Sequence, residues 1–312
     1  MCIAISVIIC THNPRPDYLN RVLTALRNQT LPLDEWELLV IDNASNVPIA
    51  GQFDISWHLN GRHIHEPTLG KTVAILRGIS NARAELFLFV DDDNVLVADY
   101  LVRALQIGRD YPFLGAFGSG LIRPEFEVEP PEWAKPHLDL LSLLELDRDV
   151  WSNLIHEFAT VPWGAGLVVR SHVARTYAAH CEKSDIRLNL DRKGDSLISA
   201  GDCDLALTAC DLGLGTGRFV RLSLTHLIPS RRLRLEYLTR MAEEMRISTQ
   251  ILMSLRGGTI SGPQPQRLLA RLKMFFHRMR LSREERAIHD ANMRGLEKAA
   301  KLIANRDTKP TR

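Results

Sequence analysis

The apolar run Leu86-Phe87-Leu88-Phe89-Val90 passes without a spacer into Asp91-Asp92-Asp93-Asn94. The apolar residues read as a buried strand, so the carboxylates fall at its carboxyl end. Like charges packed this closely repel, and a chain that keeps them needs a cation to neutralise them. Mg²⁺ and Mn²⁺ suit the place, because both prefer carboxylate oxygen and keep positions open for substrate phosphates. The alternative is an acidic turn that caps the next helix. The carboxyl ends of strands are also where open α/β sheets bind ligands.

The pattern around this run repeats. Residues 3–9 (IAISVII) form a near-continuous β-branched stretch, as expected of a central parallel strand. Apolar residues at 19, 22, 23 and 26 have helix spacing. Glu37 to Ile41 is a second buried strand ending at Asp42, and His58 to His65 a short third. Leu69 to Ala84 and Asp99 to Tyr111 read as helices on either side of the aspartate strand. Strands alternating with helices at this pace predict an α/β fold whose central sheet is mostly parallel and flanked by helices. Further on, Phe113 to Gly120 is strand-like, and Arg123 to Pro136 reads as an extended Pro-rich loop. Gly164 to Arg170 reads as turn then strand, Asp202 to Leu212 as helix, and Phe219 to Leu224 as a late strand with His226 after it. From Leu233 the chain is helical nearly to its end, broken by Gly257, Gly258, Gly262, Pro263 and Pro265. The expected division is a catalytic domain over 1–232 and a basic helical C-terminal extension over 233–312.

Charge supports that division. Residues 231–312 carry 19 Lys and Arg against 8 Asp and Glu, and the rest of the chain carries 20 against 29. A basic tail on an acidic body suits an anionic partner. The segment Arg267 to Arg280, RLLARLKMFFHRMR, is basic and amphipathic. It suits either peripheral attachment to an anionic membrane face or packing on the acidic body. Its aromatics do not alternate with the charges as nucleic-acid stacking platforms do, so no nucleic-acid partner is expected. The five cysteines, at 2, 10, 181, 203 and 210, make no paired framework. They suggest reduced thiols and a cytoplasmic location. The apolar run at the start is too short for a secretory signal and lacks a basic flank.

Several polar residues should meet at one sheet edge, because parallel strands end together. Thr11, His12 and Asn13 follow the first strand and suit a nucleobase or ribose, or else cap the helix after Pro14. Asp42 suits the same ligand, or is a simple turn residue. Asp202, at a helix start, is placed either to deprotonate an acceptor hydroxyl or to cap the helix. His226 offers a neutral imidazole to a metal, or is a satisfied core residue. Trp163 presents an aromatic face to a sugar, or packs in the core. Leu69-Gly70-Lys71-Thr72 looks like the end of a phosphate-binding P-loop, but that loop needs a first glycine where His65 stands.

Taken in order, these segments resemble family 2 glycosyltransferases of the GT-A fold. Val7 to Asn13 resembles the family's first strand and nucleotide-contacting turn, and Val40 to Ser45 its second strand. Gly70, Arg77 and Gly78 resemble its Gly-rich helix, and Val90 to Asp93 its DxD signature. Gly164-Ala165-Gly166 with Arg170 resembles the acceptor-side segment, Gly201 to Leu205 the motif of the catalytic Asp, and His226 to Pro229 the late His segment. The resemblance runs from residue 3 to about 232. It implies metal-dependent, inverting transfer of a sugar from a nucleotide-diphosphate sugar, with UDP the usual nucleotide, to an acceptor hydroxyl in polysaccharide or glycolipid synthesis. The implied roles are catalytic base for Asp202 and nucleotide contact for Thr11, Asn13, Asp42, Arg77, Asp91 and Asp92. Asp93, Asp91 and His226 would hold Mn²⁺ or Mg²⁺, with Asp92 an alternative ligand. Trp163, Gly164 and Ala165 would contact the sugar or acceptor, a carbohydrate or a lipid-linked molecule.

Three positions depart from the family pattern: His12 replaces a tyrosine, Ile75 an arginine, and Gly201 the usual glutamate before the base. The last keeps open a non-catalytic nucleotide-sugar binder. A sugar-phosphate nucleotidyltransferase is disfavoured, because Cys10 to Arg15 offers no glycine loop.

Overall fold

Alternation along three strands decides the architecture. In β1 (Ile5–Thr11), β2 (Trp36–Asn43) and β4 (Leu86–Val90), side chains point to opposite faces at successive positions. Ile5, Val7, Ile9, Leu38, Val40, Leu86, Leu88 and Val90 enter one core. Ile8, Leu39, Ile41, Phe87 and Phe89 enter a second. A sheet apolar on both faces must be covered on both, and helices do this. The first face carries α1 (Pro16–Arg27) and α3 (Tyr100–Asp110). The second carries α2 (Lys71–Asn81), α4 (Ser171–Glu182) and α6 (Gly201–Asp211). The computed structural model describes residues 3–257, 278 and 280–307.

The strand order is β3-β2-β1-β4-β9-β6-β10-β5, with β3 (Gly61–Glu66), β9 (Leu167–Arg170), β6 (Leu114–Phe126), β10 (Gly215–Ile228) and β5 (Asn94–Leu96). Short strands β7 (Leu144–Glu145) and β8 (Val150–Ser152) pair with β6 and β10. Pairing is parallel from β3 to β4 and again between β6 and β10. It is antiparallel at β9, at the hairpin-like strands and where β5 meets β10. The sheet is therefore mixed, with its parallel part where the sequence pattern is most regular.

Gly78 on α2 permits close contact with β1: a Cβ there would lie 2.5 Å from Ile8 Cγ2. At the start of β2, the buried Glu37 carboxylate accepts from Ser6 Oγ, Arg62, and both the backbone and the Nε of Arg83. Burial works against its charge, and these bonds more than offset that, holding it below the usual carboxylate range.

Two expectations need correction. His226 does not follow the late strand; β10 runs through it to Ile228. The segment 123–136 is not one loop, because β6 extends to Phe126 and a 3₁₀ segment, Glu132–Leu141, accommodates Pro136. Of the extension, α7 (Leu235–Leu255) and α8 (Arg283–Asp307) are described. With Leu233, Ile228, Ala134 and Leu141 they build a third core around Leu238, Ala242, Ile288 and Ala291. The amphipathic segment 267–280 lies outside the described residues, apart from Arg278 and Arg280. Among the described residues no helix is long and apolar enough to cross a membrane.

His58 packs edge-on against Trp36, with ring centroids 4.1 Å apart. Its Nδ1 accepts from the Asn60 N–H, so the proton sits on Nε2, which is buried without a partner. Burial pushes its pKa down from 6.5 to about 4. The unfolded chain binds this proton more readily between those values, so stability falls as pH drops through that window. We expect the wild type to lose up to ~3 kcal/mol more than His58→Gln between pH 7 and pH 4 in urea unfolding. Parallel pH profiles for the two proteins would exclude this source.

Candidate active site

The ends of β1, β2 and β4 open together into a cavity of about 550 Å³, a size typical of ligand sites. Register sets its floor. Ile9 pairs with Val90, so two residues later Thr11 comes abreast of Asp92 and donates its Oγ1 proton to that carboxylate. Beyond β4 the chain turns, with Asn94 N–H bonded to Asp91 O, and enters β5. Antiparallel pairing of Asn94 with His226 then sets β10 beside the aspartates.

Each aspartate meets a different partner. Lys71 Nζ, from the first turn of α2, is 2.8 Å from Asp91 Oδ1. Burial disfavours the Lys71 charge, but Asp91, Asp191 and Asp202 outweigh it and hold the ammonium above the ordinary lysine range. Burial and the charge of Asp93 push Asp92 up to about 6, against the hydrogen bond from Thr11. Asp93 is 8% exposed. Its Oδ2 accepts from Arg232 Nη2 at 2.8 Å and lies 3.5 Å from His226 Nε2. Burial would raise its pKa, but the Arg232 guanidinium overrides that and keeps the carboxyl well below its usual range.

Asp202, in the first turn of α6, lines the same cavity. Its Oδ2 accepts from the Gly164 N–H at 2.6 Å, and its Oδ1 from the Cys203 N–H at 2.8 Å. Both oxygens keep a second lone pair directed elsewhere. Thr11, Asn13, Asp91, Asp92, Asp93, Trp163, Gly164, Ala165, Asp202 and His226 all line the one cavity. Trp163 is further held by the Arg218 guanidinium, 4.5 Å from its ring centre.

Two sequence-selected residues do not line it. Asp42 is buried at the end of β2, where Oδ1 caps Ser45 N and Oδ2 caps Ile49 N. Arg77 is exposed on α2. The neighbouring Asn43 reaches the cavity instead. It also anchors α2, accepting from Gly70 N and donating to Thr68 O. His12, at the position where the resembled family has tyrosine, donates from Nδ1 to Asn43 O at 2.7 Å, and its Nε2 accepts from Asn13. Asn13 in turn holds the next loop through Asn46 N and Ser45 Oγ.

The basic side chains of Lys71, Arg192, Arg231, Arg232 and Arg240 also line the cavity and were not singled out from sequence. The only signals were Gly70-Lys71, set aside with the P-loop, and the arginine pair just after His226-Leu227-Ile228-Pro229.

Residues 6–151 match the family model for glycosyl transferase family 2. This stretch, just under half of the chain, is similar to that family. The matched segment holds β1 to β4 and the three aspartates, and ends before Trp163, Asp202 and His226. No curated protein matches the chain in sequence. Among solved structures, the crystal structure of S. aureus TarS 1-349 aligns at 16% identity and TM-score 0.47, over 99% of this chain and 93% of that one. The crystal structure of S. aureus TarS aligns at 16% and 0.48, over 95% of this chain and 55% of that one. TarS 1-349 in complex with UDP-GlcNAc aligns at 14% and 0.48, over 96% and 83%.

The donor set fits a divalent ion, although among the described residues no three His, Cys, Asp or Glu side chains converge on one point. Asp93 Oδ2 and His226 Nε2, 3.5 Å apart, face a single cationic group. Mg²⁺ and Mn²⁺ commonly take one or two protein ligands, with substrate phosphates and water completing the shell.

Gly201 has a structural reason. A Cβ there would lie 2.8 Å from Asp191 Oδ2, and Asp191 is itself buried beside Asp202. Burial pushes the Asp191 carboxyl up to about 6, with the Lys71 charge opposing and that of Asp202 adding. Gly201→Ala should therefore destabilise the fold by ~1–3 kcal/mol through overpacking. In an Asp191→Gly background the same change should cost under ~0.5 kcal/mol, because the nearest contacts are all to the Asp191 side chain. Urea unfolding of the four proteins checks this, and an undiminished cost in the double variant would clear Asp191 of the clash.

Proposed function

We propose that this protein is a glycosyltransferase that moves a sugar, with inversion, from a nucleotide-diphosphate sugar to an acceptor hydroxyl, with Mn²⁺ or Mg²⁺ bound at Asp93 and His226. The supporting observation is that Asp91, Asp92 and Asp93 share one cavity with Asp202. Inversion needs a leaving group and a base on opposite sides of the sugar; in this reading the aspartate edge takes the leaving diphosphate and Asp202 is the base. UDP is the nucleotide favoured by the family resemblance.

In this reading Thr11 and Asn13 contact the nucleoside, and Asp91 or Asp92 its ribose. Asp42 acts behind them by fixing the 45–49 loop, and Arg77 stays a peripheral candidate. Trp163, Gly164 and Ala165 form the sugar and acceptor side. Asp202 takes the acceptor proton as the acceptor oxygen attacks the anomeric carbon and the bond to the diphosphate breaks. Its bonds to Gly164 and Cys203 N–H groups hold the carboxylate in one orientation. The arginines and Lys71 around the cavity balance the charge gained by the leaving diphosphate. A divalent ion, when bound, supplies further Lewis-acid stabilisation of that leaving group. Gly201 does not argue for a mere binder, because Asp191 sets a carboxylate against the same position.

Thermal-shift titration with UDP, GDP and dTDP, with and without Mn²⁺, tests this. One nucleotide should raise the melting temperature only with Mn²⁺, and Asp93→Ala should lose that rise. Asp202→Asn should keep the rise while turnover of the matching nucleotide sugar falls ~10²–10⁴-fold. No shift with any nucleotide in folded protein would remove the reading.

We also propose that residues 1–232 form the catalytic unit of a cytoplasmic protein, and that the basic segment 267–280 brings it to an anionic membrane face, near a lipid-linked or carbohydrate acceptor. The excess of Lys and Arg over 231–312 supports this. Flotation with vesicles containing anionic lipid should retain the full chain and lose a form with neutralised 267–280 basic residues. Equal failure of both to float would rule attachment out.

A further inference from the structure

Arg232 stands between the two residues expected to hold a metal. It lies on the 3₁₀ turn Ser230–Leu233 that leads from β10 to α7. Its Nη2 donates to Asp93 Oδ2 at 2.8 Å and its Nη1 to His226 Nε2 at 2.9 Å. The side chains of all three are nearly buried, at 13%, 11% and 8% exposure for Arg232, Asp93 and His226.

A guanidinium has no acceptor, so His226 Nε2 must be the acceptor of this bond. The imidazole is then neutral, with its proton on Nδ1, which is buried and has no hydrogen-bond partner. This is the tautomer that presents the Nε2 lone pair to a metal. Yet Nε2 has one lone pair. It accepts from Arg232 or it ligates an ion, and it does not do both.

We infer that Arg232 is a resident counter-cation that keeps Asp93 and His226 in ligating posture and is exchanged for the divalent ion when the donor diphosphate arrives. This rests on the metal and nucleotide assignments above. Taking Arg232 off Asp93 and Nε2 without a new anion strands a charge in a nearly buried place. Arg231, Arg192 and Arg240 line the same cavity and add positive charge around it, so the unaided ion is disfavoured twice. A diphosphate reverses both effects, giving the released guanidinium a partner and bringing oxygen ligands for the ion. Binding of ion and nucleotide is therefore coupled, each favouring the other. Leu233, next in sequence, sits in the third core with Leu238 and Ile288, so the exchange pulls on the helical extension.

Mn²⁺ binding to the full chain, followed by the electron paramagnetic resonance of free Mn²⁺, tests this in wild type, Arg232→Met and Arg232→Lys, with and without UDP. Wild type should bind Mn²⁺ weakly alone and roughly tenfold or more tightly with UDP. Arg232→Met should bind Mn²⁺ alone roughly tenfold more tightly than wild type, with the gain from UDP reduced to about threefold or less. Arg232→Lys, which keeps the charge but cannot span both partners in one planar fork, should fall between them. A purely structural role would lower Mn²⁺ affinity in the variants, so equal or weaker binding there, with wild type binding Mn²⁺ in the presence of UDP, overturns the exchange. Wild type that binds UDP but never Mn²⁺ overturns the metal assignment and the exchange with it. Wild type that binds neither overturns the donor reading itself.

Discussion

Three adjacent carboxylates at the end of a buried strand persist because each is answered by a group from a different part of the chain. Lys71 comes from α2, Thr11 from the end of β1, and Arg232 from the turn before α7. Repulsion among the aspartates is thus converted into a set of tethers. Strand β1, helix α2 and the C-terminal extension are all fastened to one acidic edge. Breaking any partnership leaves a poorly solvated charge, which costs more than the pair itself is worth.

The same edge explains why Asp92 and Asp93 are shifted in opposite directions. Asp91 has Lys71 and partial solvent, and Asp93 has a guanidinium. Asp92 has a hydroxyl donor and two charged neighbours, so it is the one driven towards neutrality, at about 6. A neutral hydroxyl answers charge less well than a cation does, and position along the turn decides which aspartate receives which.

The strands of the parallel half were legible because β1, β2 and β4 are buried on both faces and so read as unbroken apolar runs. The residues at their ends were legible as polar groups closing those runs. What escaped is what reaches the edge by long-range pairing. β5 has three residues, too few for any period, yet its register with β10 delivers His226, and Arg232 follows a few residues later. Helix α4 went unread because it starts straight from β9, with Arg170 both ending the strand and serving as N-cap, so no turn separates the two. Asp42 and Arg77 show the opposite failure. Their neighbours follow the pattern of the site, but the Asp42 carboxylate is spent on backbone N–H groups and Arg77 lies on the outward face of α2.

The contact between Asp191 and Gly201 carries a meaning for descent. The two positions compete for one volume beside Asp202, so a side chain at 201 needs a smaller residue at 191. Across relatives, residues aligned with 191 and 201 should change together. A glutamate at the second position should accompany a small or apolar residue at the first, and a glycine should accompany an aspartate. The acidic character of that small space would then be conserved while the residue supplying it is not, a trade invisible to any motif that reads position 201 alone.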